Sequence, residues 1–425
     1  MPFLKSLRLD GLLSFPPGSE AIPLTPLNVL IGPNGSGKSN LIEGIELLHA
    51  LPTGFASAIR EGGGVREWLW KGDGTLSSVI EAHIDVDHQL RDGVSPSLIE
   101  ATDYEVPDLR YALSFSDVGQ RVEITGEFIE DVGYTTVPPT DEQMYLRPAG
   151  EGSPLSYYRF QDGDLVVNLK SEWPASKNIR RETRSLDRRN IKPDESILAQ
   201  LKDPFVYPEL FEVGRKFEAI QSFREWTFGR GSEVRRPQRP DWPSDSLLPG
   251  AQNLGAVLDQ LQLTERWPEF NGYLNRFLPR FQRCTVSSAG GRVQIFLHEN
   301  GLRLPIPATR LSDGTIRFMA ILAQLLSPTP PPLICMEEPE LGLHPDAIAL
   351  LAGLLQEASA RTQLIVTTHS DALVSALTEV ADSVLVCEYR GGTVFKRIES
   401  EKLRFWLEKY RLGEIWRIGE IGGNL

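Results

Sequence analysis

The stretch LNVLIGPNGSGKS, Leu27 to Ser39, joins a short apolar run to a glycine-rich turn. Such a run predicts a β-strand that is buried on both faces. The residues after the turn predict a helix with four apolar side chains on one side, Leu41, Ile42, Ile45 and Leu48. The turn fits G-x-x-x-x-G-K-[ST] in full, and it lies between a strand and a helix, as a phosphate-binding loop requires.

A loop of this kind surrounds phosphate oxygens with backbone N–H groups, and the helix N-terminus adds its positive dipole end. We expect Lys38 to reach the β- and γ-phosphates of ATP and Ser39 to be a ligand of Mg²⁺. A glycine-rich turn that merely contains a lysine is the alternative, and the flanking strand and helix argue against it. The predicted nucleotide-binding residues of the loop are Gly32, Pro33, Asn34, Gly35, Ser36, Gly37, Lys38, Ser39 and Asn40.

A second stretch, LICMEEPELGLHPD from Leu333, places three glutamates at the end of another apolar run. Grouped carboxylates repel one another and are costly to bury unless a cation lies among them. A phosphate-binding loop needs an acidic residue on a neighbouring strand to hold Mg²⁺. We therefore predict that Glu337 contacts the metal and that Glu338 directs the water that attacks the γ-phosphate. The alternative is that these are surface glutamates following a strand.

The composition of the 425 residues limits the class of protein. Hydrophobic residues make up 41% and charged residues 24%, as in an ordinary globular protein, and the net charge of −13 argues against a surface that coats nucleic acid. The three cysteines have no CxxC spacing, which suits a reducing compartment. No apolar run approaches the ~18–20 residues that span a bilayer, and no signal peptide is evident. We predict a cytoplasmic protein without membrane segments.

Four motifs in this order carry a family resemblance: GPNGSGKSN, LSDGT, ICMEEPELGLHP and VTTHS. Together they resemble an ABC-class ATPase head, and more narrowly the branch that includes RecF, SMC and the overcoming-lysogenization-defect (OLD) ATPases. The stretches ESILAQLKDP, REWTFGR, AQNLGAVL and GEIWRIGEIGGNL look like stand-alone bacterial ATPases of about this length. The resemblance therefore extends over nearly the whole chain.

The resemblance implies an α/β fold: an ABC-type head with a phosphate-binding-loop sheet, helices, an antiparallel β subdomain and a compact helical insertion. Residues 1–175 would form the N-terminal half of the head, with the Walker A loop and the antiparallel strands. Residues 176–282 would form the mainly helical insertion. Residues 283–425 would form the C-terminal half, with the signature, the Walker B strand and the switch histidine.

Leu311 to Thr315 corresponds to the ABC signature, in which Ser312, Asp313 and Gly314 would bind the nucleotide held by a second subunit. A hydroxyl donor, a glycine and a helix N-terminus suit a phosphate, although LSDGT read alone is also an ordinary helix cap and turn. His369 matches the histidine that senses the γ-phosphate, although a single histidine at a strand end is usually structural.

The sequence departs from the family pattern at three places. Glu337 stands where the usual metal-binding residue is the shorter Asp. The signature has Asp313 and Thr315 where transporters more often have Gly and Gln, and His344 stands where they usually have Asp. These changes favour the RecF- and SMC-like branch over the motor subunit of a membrane transporter. Gln89 is the nearest candidate for the Q-loop glutamine.

Two arginine-rich clusters lie in the insertion, and the first contains Arg180, Arg181, Arg184, Arg188 and Arg189. The second contains Arg230, Arg235, Arg236 and Arg239. They are either solvated surface paired with interleaved acids or a patch for DNA phosphates or an acidic partner. Phe223, Trp226 and Phe228 lie between the clusters, and their spacing favours packing in the core.

These residues predict an ATPase that forms an ATP-dependent homodimer or larger oligomer and acts as a switch. Its output would be DNA engagement or control of a partner effector, as in DNA repair or anti-phage defence. No nuclease constellation follows the head, so if the system cuts nucleic acid, another polypeptide is expected to do the cutting. The alternatives are a nucleotide-gated scaffold with near-silent hydrolysis and, more remotely, a transporter motor.

Overall fold

The computed structural model describes residues 2–73, 77–85, 109–137, 145–148, 153–161, 164–170, 181–224, 226 and 228–422. The chain forms two compact units. The first contains Met1–Thr25, Gly35–Ile220 and Tyr389–Phe395, and the second contains Pro26–Asn34, Gln221–Glu388 and Lys396–Leu425. The phosphate-binding loop is where the chain passes from the second unit to the first.

The described strands, in chain order, are β1 (Leu4–Asp10), β2 (Ile22–Pro23), β3 (Leu27–Ile31), β4 (Ser77–Ile84), β5 (Leu109–Val118), β6 (Arg121–Val137), β7 (Tyr145–Pro148), β8 (Ser153–Gln161), β9 (Asp164–Lys170), β10 (Arg181–Ser185), β11 (Gln221–Phe223), β12 (Phe281–Ala289), β13 (Arg292–Glu299), β14 (Ile306–Pro307), β15 (Leu333–Glu337), β16 (Gln363–Thr367), β17 (Val384–Tyr389) and β18 (Thr393–Arg397). The described helices are α1 (Lys38–Ala50), α2 (Phe55–Glu61), α3 (Val65–Trp68), α4 (Ile197–Gln200), α5 (Pro208–Glu218), α6 (Leu254–Leu261), α7 (Trp267–Phe277), α8 (Asp313–Leu325), α9 (Pro345–Ala358), α10 (Asp371–Ala376), α11 (Ser400–Leu407) and α12 (Leu412–Arg417).

The first unit is built on a nine-stranded antiparallel sheet with the order β10-β9-β8-β6-β5-β4-β1-β2, in which β7 also pairs with β6. The short alternating segments SSVIEAHIDV, RYALSFSDV, RVEITGEFI, SYYRF and DLVVNL, between Gly62 and Leu169, predict antiparallel strands, and this sheet confirms the prediction. Helix α1 is also as predicted, because its four apolar side chains Leu41, Ile42, Ile45 and Leu48 are fully buried.

A second sheet has six strands in the order β11-β15-β16-β3-β17-β18, and its strands β11, β15, β16 and β3 belong to the second unit. The pairs from β11 to β17 along this order are parallel. All residues of β3 and β16 are buried, as continuous apolar strands in a parallel sheet require. Because β15 and β16 are parallel neighbours, their carboxyl ends meet at one edge of the sheet. A smaller antiparallel sheet, β12-β13-β14, lies in the same unit.

The stretch 176–282, predicted to be mainly helical, contains α4 to α7 and two short strands. Strand β10 extends the antiparallel sheet, and β11 pairs with β15. The stretch YPELFEVGRKFEAIQSFREWTF, Tyr207 to Phe228, predicts a helix. The prediction is wrong at Gln221–Phe223, because hydrogen bonds to β15 override the local helical preference. The boundaries at 175/176 and 282/283 remain a prediction. None of the helices in the described parts of the chain is long and apolar enough to cross a membrane.

Candidate functional site

The phosphate-binding loop has the backbone that its glycines were predicted to allow. Gly37 has a φ of 107°, a left-handed conformation that strains any residue with a Cβ. A Cβ added there would lie 2.0 Å from Oγ1 of Thr393, so this position has room only for glycine. Lys38 is the first residue of α1 and is buried, and Ser39 is exposed.

Side chains from two distant parts of the first unit support this loop. Oγ1 of Thr393 donates to the carbonyl oxygen of Ser36 at 2.8 Å and lies 2.6 Å from Oγ of Ser14. Nδ2 of Asn40 donates to that same Ser14 oxygen at 2.7 Å. Nucleotide binding by Asn40 stays a prediction, and its amide contacts Ser14 in this structure. No motif in the sequence points to Ser14 or Thr393.

Glu337 ends β15, and one of its carboxylate oxygens is buried. Among the described residues no group donates a hydrogen bond to this Oε1, and Nε of Arg224 lies 3.4 Å away. Nε1 of Trp226 donates to the main-chain oxygen of Glu337 at 3.2 Å, which fixes the end of the strand. A buried carboxylate oxygen of this kind fits the hard oxygen-ligand chemistry of Mg²⁺, and the nearby Arg224 guanidinium would compete with the metal for it.

Glu338 has a strained backbone, with a φ of 44°. Its N–H donates to the carbonyl oxygen of Thr367 at 3.1 Å, and its own carbonyl oxygen accepts from Nη1 of Arg317 at 3.3 Å. Its Oε1 lies 3.7 Å from Nε2 of His369, and both side chains are partly open to solvent. A non-glycine residue keeps this conformation only where the surrounding structure holds it in place. Such residues cluster at functional sites. The structure therefore brings the predicted catalytic glutamate and the predicted switch histidine together.

The third glutamate of the motif has a different environment. Glu340 is buried, and its Oε1 accepts a hydrogen bond from Oγ1 of Thr368. Burial raises the pKa of its carboxyl, against the opposing effect of the Thr368 hydrogen bond. Thr368 in turn accepts from the N–H of Ser370 at 3.0 Å. Glu340 thus ties the loop after β15 to the loop that carries His369.

The signature begins α8 as a capped helix. Oγ of Ser312 accepts from the N–H of Thr315 at 3.1 Å, so the N-cap interpretation of LSDGT is correct as far as the local structure goes. A Cβ on Gly314 would lie 2.7 Å from the carbonyl oxygen of Gly342, in the loop after β15. The need for glycine at position 314 therefore comes from packing inside the chain. Ser312 and Asp313 are exposed.

Several residues with no motif of their own also belong to the site. Half-buried Arg317 contacts the main-chain oxygens of Glu338 and Trp226, and its guanidinium lies over the rings of Trp226 and Phe228. Buried Arg235 contacts the signature loop. His344 caps α9, its Nδ1 accepting from the N–H of Asp346.

The Q-loop candidate Gln89 and the first-cluster residue Arg180 lie outside the described residues.

Comparison with known proteins agrees with this geometry. The family described as "AAA domain, putative AbiEii toxin, Type IV TA system" matches residues 27–375, well over half of the chain.

The chain belongs to this family.

Similar proteins include a phage nuclease and two SMC heads. The chain is 38% identical over 72 residues to the "Old nuclease" of Escherichia phage P2, a match that covers 17% of this chain and 12% of that protein. It therefore spans only a small part of that relative's length. An SMC head bound to the C-terminal winged-helix domain of ScpA has a TM-score of 0.55 at 14% identity, covering 94% of this chain and 99% of the other.

A second SMC head, with an extended coiled coil and bound to the C-terminal domain of ScpA derived from Pyrococcus furiosus, has a TM-score of 0.52 at 13% identity. It covers 96% of this chain and 99% of its own. At these identities the two structures establish the fold alone, and they confirm the predicted ABC-type ATPase head. ATPases of this family bind a nucleotide together with a divalent metal.

Proposed function

We propose that this protein is a cytoplasmic ATP-hydrolysing switch that dimerises head to tail around two molecules of Mg²⁺-ATP. Lys38 and the loop from Gly32 to Asn40 bind the phosphates, and Ser39 and Glu337 hold the metal. Glu338 orients the attacking water, and His369 senses the γ-phosphate. Ser312, Asp313 and Gly314 complete the site of the partner subunit.

The observation that carries this proposal is the pairing of Glu338 with His369. The two residues follow neighbouring parallel strands, and their side chains meet 3.7 Å apart. The main chain of Glu338 is held by hydrogen bonds with Thr367 and Arg317. Two titratable side chains that meet at the end of a P-loop sheet are suited to positioning water and reading a phosphate.

In phosphoryl transfer the protein itself does little covalent chemistry. The bound metal would neutralise charge that develops on the phosphate oxygens. The carboxylate of Glu338 accepts a hydrogen bond from the water and turns it toward the γ-phosphorus, while His369 and Lys38 offer N–H donors to the phosphoryl oxygens. Positioning and charge stabilisation supply most of the rate enhancement in phosphoryl transfer.

The exposure of the signature supports a dimer. Ser312 and Asp313 face solvent at the N-terminal end of α8, where a helix favours an anion. In a head-to-tail dimer this end would cap the γ-phosphate held by the second copy. ATP would then act as part of the interface, so closing and opening follow binding and hydrolysis.

The switched output is DNA engagement or control of a partner effector. Support for both comes from the relatives, one a phage nuclease and the other an SMC head bound to ScpA. The contacts of the arginine clusters support DNA engagement less strongly than their sequence alone suggested. Arg189, Arg236 and Arg239 form ion pairs with Asp187, Glu233 and Asp241, and Arg235 is buried.

The decisive experiment is steady-state ATP hydrolysis by the purified chain with and without linear duplex DNA, beside Glu338→Gln. We expect the variant to lose about 10²–10⁴-fold in kcat, the usual contribution of a positioned acid or base. Stimulation by DNA that the variant lacks would identify DNA as a ligand of the switch. Turnover that ignores DNA points to a protein partner, and a variant as active as the wild type contradicts the proposed role of Glu338.

A nucleotide-gated scaffold is the second candidate, because Arg224 lies 3.4 Å from the Glu337 oxygen that should bind the metal. A cation already beside this carboxylate would weaken metal binding and slow hydrolysis. Persistent ATP-bound oligomers with negligible phosphate release would favour this function. Arg224→Gln would then raise the rate of phosphate release, whereas the switch proposal expects no such gain.

A further inference from the structure

Arg235 lies in the proline- and arginine-rich segment between β11 and α6, which the sequence suggested was surface. Its neighbours Arg230, Arg236 and Arg239 are exposed, but the Arg235 side chain is only 3% exposed. A buried guanidinium is costly unless its donors are satisfied and its charge is paired. The position of its partners therefore explains why the chain buries this arginine.

Four groups receive these donors, and three of them belong to the signature or to the turn before it. Nη1 donates to the carbonyl oxygens of Leu311 at 2.6 Å and Ala308 at 3.2 Å. Nη2 donates to the carboxylate of Asp313. Nε donates to the carbonyl oxygen of Phe228 at 2.7 Å, which anchors the guanidinium to its own segment. The contacts to Leu311 and Asp313 flank Ser312, the N-cap of α8.

The segment that presents Arg235 is itself fixed. Val234 is buried, and Nε2 of the buried Gln238 donates to its carbonyl oxygen at 3.1 Å. Oε1 of Gln238 accepts from the N–H of Gly255 at 2.7 Å. The backbone N–H of Gln238 donates to the carbonyl oxygen of Val293, and its own carbonyl oxygen accepts from the N–H of Val293. The arginine is thus attached to α6 and β13, so it holds the signature loop against a rigid part of the unit.

We propose that Arg235 is a positioning residue for the signature, holding Ser312, Asp313 and Gly314 in the orientation that completes the ATP site of a second copy. This inference rests on the proposed function, because it assumes that the signature acts on the partner's nucleotide. The guanidinium forks across the loop with planar, fixed geometry, which a lysine cannot reproduce. ATP binding by the chain's own phosphate-binding loop does not depend on it.

A mixing experiment separates an effect on the partner's site from an effect on the chain's own site. Arg235→Gln should lower turnover about a hundredfold, the order that a small misplacement of a catalytic group costs, with ATP affinity unchanged. Lys38→Ala should be inactive. Their 1:1 mixture should regain about a quarter of wild-type turnover per chain, because half of randomly formed dimers are mixed and each has one intact composite site.

The control replaces the Lys38→Ala chain with a chain that carries both substitutions. That mixture contains no intact signature, so it should regain no turnover. Arg236→Gln, on the exposed neighbour, should leave turnover at the wild-type level. Arg235→Lys keeps the buried charge, so it folds if Arg235→Gln does not, and it should show a smaller defect that the Lys38→Ala chain also rescues.

Arg235 variants with wild-type turnover would overturn the inference, as would a folded variant with low turnover that Lys38→Ala does not rescue. Either result leaves the proposed function intact, because the wild-type protein would still hydrolyse ATP. If the proposed function itself is wrong, the wild-type chain has no turnover that depends on Lys38. The inference about Arg235 is then wrong as well.

Discussion

Glu338 shows how a single residue can carry strain at a candidate catalytic position. A left-handed backbone costs a residue with a Cβ about 1–2 kcal/mol, and the φ of 44° at Glu338 places it in that region. The hydrogen bonds of its N–H to Thr367 and of its carbonyl oxygen to Arg317 hold it there. Its carboxylate lies 3.7 Å from Nε2 of His369.

This strain makes a testable prediction about two small substitutions. Glu338→Gly should give a more stable protein than Glu338→Ala, by about 1 kcal/mol, because glycine adopts a positive φ without penalty. Chemical denaturation of the two variants measures the difference in the free energy of unfolding. At the exposed helical position Ala349 the order should be reversed, with Ala349→Gly less stable than the wild type by about 1 kcal/mol. Equal stability of the two Glu338 variants would show that the backbone there is relaxed.

The three glutamates of EEPE, alike in the sequence, have three different environments. Glu337 lies beside Arg224, Glu338 faces His369, and one oxygen of the buried Glu340 accepts from Thr368. Their grouping predicts a metal and catalytic site at the end of a buried strand. Which carboxylate does what depends on neighbours from β16 and its following loop, far away in the chain, and no local pattern contains that information.

At the scale of elements, a buried carboxylate joins β6 to the start of α4. Glu127 accepts from Oη of Tyr111 at 2.8 Å, from Oγ of Ser196 at 2.5 Å and from the N–H of Ile197 at 2.9 Å. Burial raises its pKa from 4.5 to about 7, against the opposing effect of these three hydrogen bonds. Under mildly acidic conditions the Glu127 carboxyl therefore keeps a proton in the folded chain. In the unfolded chain it would release that proton.

The sign of the resulting pH dependence follows from that proton. Between about pH 4.5 and 7 the folded chain binds a proton at Glu127 that the unfolded chain has lost, so the free energy of unfolding falls as the pH rises. Glu127→Gln keeps the shape and removes the titration. We expect the variant to match the wild type near pH 5 and to exceed it by about 2–3 kcal/mol at pH 8.

Urea denaturation of both proteins over that pH range measures this difference. Only the difference between the two curves reports on Glu127, because every other titrating group is common to both proteins. Parallel curves would show that Glu127 is ionised at neutral pH in the folded chain.

Elements with strong patterns were predicted correctly, and elements that depend on distant partners were not. LNVLI, LICM and QLIVT read as buried strands because their apolar runs fit only a sheet covered on both faces. Gln221–Phe223 follows a helical pattern and was assigned to it. Its strand conformation comes from pairing with β15, which lies more than a hundred residues further along the chain.

At the scale of the whole molecule, the proposal predicts a dimer that depends on nucleotide and metal. Glu338→Gln with ATP and Mg²⁺ should double its molar mass, because bound ATP persists when hydrolysis is slow. Adding EDTA should return it to the monomer. Size-exclusion chromatography with light scattering measures both states, and Lys38→Ala in the same background is the control that should stay monomeric. A mass that ignores nucleotide and metal would contradict the proposed ATP-dependent interface.

The sequence by itself determined the class of fold and the chemistry to look for. Local rules of phosphate binding and strand burial explain the loop from Gly32 to Ser39, the acidic strand end and the order of the motifs. Such rules depend on residues close together in the sequence, so they can be recognised without a structure. Only the tertiary structure decided which groups support them: Thr393 and Ser14 behind the loop, Arg317 beneath Glu338, and Arg235 across the signature. The physical reason is that a hydrogen bond between residues far apart in sequence requires only the right atoms at the right distance. It leaves no periodicity or spacing for a reader of the sequence to find.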